Sequence, residues 1–137
     1  MTHEIILNMI ENVDPEDTNT LNEIDARYWC WSNDKEYLSH TPATVSFKTK
    51  KAIIYSGGLR EFKRSNTYKE YTRSRDALKA IRPEAYFFRI IQHTGNGLFG
   101  AVLENKDGLF FTCPLLSTEE LAELHAIIQA KAYEKEN

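Results

Sequence analysis

The sequence predicts an α+β fold in which helices pack on an antiparallel sheet. Three observations carry this. The second half of the 137-residue chain alternates turn signals with short runs rich in aromatic and β-branched residues, the pattern of strands. Two of those runs are joined by Asn105-Lys106-Asp107-Gly108, and an Asp-Gly turn makes neighbouring strands antiparallel. Segments with apolar residues at helical spacing bracket the strands on both sides. The length fits one domain with a core of its own.

Taken in order, residues 3–13 set Ile5, Ile6, Met9, Ile10 and Val13 at helical spacing and predict a short amphipathic helix. Asp14-Pro15 and the polar residues after it break the chain, so residues 1–16 are expected to form a peripheral addition. Thr20 and Glu23 have capping-box spacing and open a helix over 21–31, with Leu21, Ile24, Tyr28 and Trp31 on one side. Residues 35–70 read as a variable basic insert. Within it, 44–47 and 52–55 look like short strands, Gly57-Gly58 is a break, and 59–69 is an exposed loop or irregular edge.

The stretch after the insert is clearer. Ser74 is a good N-cap, and Asp76 suits the positive end of a helix dipole. Ala77, Leu78 and Ile81 form a narrow apolar face, and Pro83 ends the helix at Arg82. Residues 86–91 are aromatic or β-branched except Arg89 and predict a strand buried on at least one face. Thr94-Gly95-Asn96-Gly97 is a turn, 98–104 a second strand, and 109–113 a third, stopped by Pro114. Ser117 and Glu120 read as another capping box for a last helix over 118–135, with Leu121, Leu124, Ile127 and Ile128 on its inner side.

No apolar run approaches the roughly 20 residues that span a bilayer. The N-terminus has no basic region and carries Glu4 and Glu11, unlike a secretory signal. Cys30 and Cys113 lie far apart with no CxxC pairing, and read as reduced, unlinked cysteines of a cytosolic protein.

The order DARYWCW, variable insert, YTRSRDALKAIRP, aromatic hairpin and LSTEELAELHAIIQAKAY resembles the phage ABA sandwich family, small proteins of tailed bacteriophages. The matching features are a helix ending in Trp31, the Tyr71-Thr72-x-Ser74 lead-in to a central helix, and an alanine-rich last helix. The resemblance implies an α-β-α sandwich with helices on both faces of an antiparallel sheet, to which the N-terminal helix is additional. It also implies phage origin, a host-cytoplasm location and no assigned reaction. Family members often carry an aromatic directly after a Pro-Glu-Gly type turn, whereas Ala85 stands before Tyr86 here.

Chemistry-bearing patterns are sparse. His3, His40, His93 and His125 with Cys30 and Cys113 show no zinc-type spacing, and His125 beside Leu121, Leu124 and Ile128 reads as a partly buried, hydrogen-bonded histidine. Ser56 before Gly57-Gly58 lacks the G-x-S-x-G elbow, and no glycine cluster has phosphate-loop spacing. The expectation is a non-enzyme with no metal and no cofactor.

Charge is the most informative feature. The net charge is −3, yet residues 48–89 hold twelve Lys/Arg against four Asp/Glu, with acidic segments on either side. In one reading these segments pair with one another in the folded chain. In the other, the basic segment is a working surface. Its candidate binding residues are Lys48, Lys50, Lys51, Arg60, Phe62, Lys63, Arg64, Tyr68, Lys69, Tyr71, Arg73 and Arg75. Cations among aromatics suit an acidic protein surface with aromatic anchors, or single-stranded nucleic acid. The favoured expectation is a phage accessory protein that binds a host protein, blunting a defence system such as CRISPR or restriction. A single-stranded nucleic-acid module using 48–75 is the second, against which the pI of about 5.8 weighs. A membrane partner is not expected.

Overall fold

A computed structural model of the chain describes residues 2–34, 37–40, 45–47, 53–54, 69–93 and 95–136. Its described helices are α1 (Thr2–Asn12), α2 (Thr18–Ser32), α3 (Arg75–Ile81) and α4 (Glu119–Glu136). The strands are β1 (Tyr37–His40), β2 (Val45–Phe47), β3 (Ile53–Ile54), β4 (Tyr86–His93), β5 (Leu98–Asn105) and β6 (Phe110–Thr112). They form two antiparallel three-stranded sheets, β1-β2-β3 and β4-β5-β6. Helices flank them: α4 lies along β5 and β6, and α2 beside β1 and β2. The class is α+β, as the sequence predicts; β1 is a strand that its residues do not announce.

Local chemistry sets the boundaries. The Asp17 carboxylate accepts from the Thr20 backbone N–H at 3.2 Å and starts α2, so Thr20 is the partner of the cap and not the cap. Glu23 instead pairs with Arg27 one turn on, at 2.8 Å. Ser74 caps α3 by accepting from the Ala77 N–H at 3.1 Å, and Arg82 turns extended ahead of Pro83. The Thr118 hydroxyl, not Ser117, accepts from Leu121 N–H at the start of α4. In the β5–β6 turn the Asn105 carboxamide accepts from Asp107 and Leu109 N–H, both at 3.0 Å, and Gly108 takes a φ of +87° that costs glycine little.

The core is built around α4. Every residue from Leu121 to Ile128 is buried, as are Ala130 and Ala132. One side meets Ala101 and Leu103 of β5; elsewhere α4 meets α1 and α3, whose Ile6, Ile10 and Leu78 are wholly enclosed. The last helix is therefore covered nearly all round over two turns, where an inner stripe was expected. The N-terminal helix is likewise no peripheral addition: Ile6 and Ile10 belong to the same hydrophobic cluster as Leu124 and Leu103. The Lys135 ammonium lies 5.3 Å over the Trp31 ring, tying the end of α4 to α2.

Strands β4 and β5 pair over their full length, from Tyr86↔Asn105 to His93↔Leu98. Side chains alternate across the sheet. Phe88, Leu103 and Phe111 turn to the core side, and Phe87, Arg89, Val102, Glu104, Phe110 and Thr112 to the opposite side.

Candidate binding site

Of the residues expected to bind, Lys48, Lys50, Lys51, Arg60, Phe62, Lys63, Arg64 and Tyr68 lie outside the described residues. The structure places the other four: Lys69 is exposed, Arg73 and Arg75 are partly so, and Tyr71 is buried. Lys69 is exposed and lines an open depression of about 350 Å³ with Glu70, Ser74, Asp76, Ala77 and Ala80. Tyr71 is buried, its ring edge-on to Tyr28 at 4.8 Å. Arg73 reaches inward to Asp25 and Asn22, at 2.9 and 2.6 Å. Arg75 pairs with Glu119, and at 3.5 Å with the buried Glu123. The expectation of an exposed arginine at 73 is corrected: its guanidinium answers a carboxylate that burial has stripped of water.

That carboxylate is anchored from two sides. Asp25 is fully enclosed and accepts from the Thr72 N–H as well as from Arg73. Burial pushes its carboxyl up to about 7, against the opposing pull of Arg73 and Thr72. Glu123, also enclosed, takes Arg82 at 2.5 Å, and the Arg82 guanidinium stacks 4.6 Å over Phe88. Both clusters hold segments distant in sequence together.

His125 is held from both sides. Gln129 donates to Nδ1 at 2.9 Å, so in the neutral ring the proton sits on Nε2, which donates to Glu11 at 2.8 Å. Burial lowers its pKa, with Glu11 opposing. Gln129 also donates to the Thr112 carbonyl at 2.6 Å. The expected hydrogen-bonded histidine is what the structure has, and it links α1, α4 and β6. Cys30 and Cys113 are free, and burial raises both thiols, Cys30 to about 12. Such thiols are weak nucleophiles near neutral pH. Among the described residues, no three His, Cys, Asp or Glu side chains come together as metal ligands. Nor is any described helix long and apolar enough to cross a membrane.

The surface that stands out is one the sequence reading did not select. Phe87, Phe110, Ile91 and Leu115 are 66, 58, 54 and 43% exposed on the side of β4-β5-β6 turned away from α4. Cross-strand register orders them in three rows. Phe87, Glu104 and Phe110 form the first, and Arg89, Val102 and Thr112 the second. Ile91 and Gly100 share the third, which Leu115 completes, since a Cβ on Gly100 would meet its Cδ2 at 3.5 Å. Arg89 and Glu104 lie 3.3 Å apart on the diagonal between the first two rows. The signal was present in the sequence: an arginine amid an apolar strand marks its solvent side, and positions two away share that side. No family model, curated protein or solved structure matches the chain.

Proposed function

We propose that this chain is a non-catalytic binding protein whose ligand is another protein, held on the open face of β4-β5-β6. One observation carries the reading: four large apolar side chains stand exposed together on a regular sheet face. The four stand at the corners of a three-row face around Val102, with Arg89, Glu104 and Thr112 between them, and large apolar side chains left exposed together mark interaction sites. Aromatic anchors with an arginine among them also match the composition of interface hot spots. The raised thiols and the fully engaged His125 favour binding over nucleophilic chemistry. The phage-family resemblance supplies the setting: a host protein as partner, and interference with a host defence as the purpose.

The test is recovery of a partner from nuclease-treated bacterial lysate on the immobilised chain, compared with the Phe87→Thr, Ile91→Thr double variant. Threonine keeps β propensity at both positions. The expected result is a partner that the parent retains and the variant loses, with the melting temperature unchanged, followed by direct titration of the purified pair. Equal recovery by the variant would move the site elsewhere. Recovery that disappears on nuclease treatment would return the choice to nucleic acid and the basic segment.

A further inference from the structure

We propose that the open face of β4-β5-β6 also takes a second copy of this chain, in a symmetric dimer whose two sheets cross nearly at right angles. The charges select this geometry. A two-fold dimer stacks a face on itself, so each residue meets its image across the axis. With the axis along β5, Glu104 would fall on the second copy's Glu104. With the axis across the strands through the middle row, Arg89 would fall on the second copy's Arg89. The diagonal from Phe110 to Ile91 leaves both charges facing Thr112 and Gly100. The diagonal from Phe87 to Leu115 exchanges rows with columns. Each Glu104 then lies over the second copy's Arg89, each Phe110 over its Ile91, and Val102 over Val102. Spacings of about 4.8 Å between strands and about 6.7 Å between alternate residues are close enough for this exchange. Orthogonal crossing is one of the two preferred ways for sheets to pack.

Both charged groups reach solvent, with Arg89 68% and Glu104 39% exposed, and the pair that they form within one chain is an open one that a second copy can extend. The face is only three strands wide and three rows long, at spacings of about 4.8 and about 6.7 Å, which is well short of the about 1,200 Å² at which standard interfaces begin, so the dimer is a weak, concentration-dependent one.

The inference rests on the same face as the proposed function, but on no other partner. Sedimentation velocity of the purified chain over a concentration series tests it. The parent is expected to move from the mass of one chain toward twice that mass. Arg89→Glu alone and Glu104→Arg alone each set like charges opposite one another and are expected to stay monomeric. An equimolar mixture of the two should regain the dimer, because each altered side chain then meets its complement across the axis. Repulsion within one chain would survive mixing, so the mixture isolates the contact between chains. Circular dichroism melts check that both variants fold. A monomeric parent up to its solubility limit, single variants that dimerise like the parent, or a mixture that stays monomeric would each overturn the proposal. A monomer here leaves the lysate result standing, and a failed lysate recovery leaves the dimer standing.

Discussion

At the scale of single residues, Arg73 shows why a cation in a basic segment is not necessarily a surface cation. Its partner Asp25 has no exposure, so removing the guanidinium leaves a buried carboxylate that, among the described residues, keeps the Thr72 N–H and loses its countercharge. Arg73→Ala is expected to cost about 3–5 kcal/mol, the range for breaking a buried pair from one side. Urea denaturation checks this, and a loss under about 1 kcal/mol would mean the pair behaves as a surface pair. His125 carries a pH dependence of definite sign. Burial lowers its pKa below the ordinary 6.5, so the unfolded chain binds a proton that the folded chain resists. Its contribution is fully present above about 6.5 and is lost as pH falls through the folded value. Glu11 faces it from α1, Gln129 from α4, and Cys113 lies near Glu11. The raised Asp25 carboxyl acts with the opposite sign, losing stability as pH rises from 3.8 toward about 7. Melting curves of the parent and of His125→Gln, subtracted between about pH 7 and about pH 5, should isolate the histidine. The parent should lose more on acidification than the variant; parallel curves would assign the slope elsewhere.

At the scale of elements, legibility followed distance along the chain. The Ser74 cap, the stop before Pro83, the one-sided β4 and the Asn105 to Gly108 turn are made by residues within a few positions of each other. All were readable in the sequence. The Asp17 cap was missed because Thr20 and Glu23 offered a competing local pattern, and only the cap geometry decides between them. The enclosure of α4 was missed for a different reason. Eight consecutive buried residues that include Glu123 and His125 hide their polarity in partners 41 and 114 positions away. Ala85 offers a test at this scale. It sits at φ +71° just before β4, a left-handed conformation that costs a side-chain-bearing residue about 1–2 kcal/mol. Ala85→Gly removes that cost but loosens the unfolded chain, so a net gain of about 0.5–1 kcal/mol is expected. A loss of stability would show that the turn does not hold this strain.

At the scale of the whole molecule, the uneven charge of the sequence is partly resolved by folding. Arg73, Arg75 and Arg82 from the basic middle meet Asp25, Glu119 and Glu123 from the acidic segments on either side. The helices are joined in the same way, through contacts between ends of the chain. Glu11 of α1 reaches His125 of α4, and Ile6 and Ile10 share one cluster with Leu121, Leu124 and Ile128. Removing the first helix would therefore uncover the middle of the molecule. It would expose the buried face of α4 and leave His125 without its carboxylate, beyond the loss of two isoleucines worth about 2–5 kcal/mol each on truncation to alanine. Total stabilities of domains are about 5–15 kcal/mol, so a loss of this size consumes most of it. A chain lacking residues 2–12 is expected to show no cooperative thermal transition and to bind a hydrophobic dye, while the intact chain melts in one step. Far-ultraviolet circular dichroism and the fluorescence of Trp29 and Trp31 on α2 should trace the same single curve in the intact chain. A truncated chain that still melts cooperatively, within a few degrees of the parent, would place α1 outside the core that its buried isoleucines define.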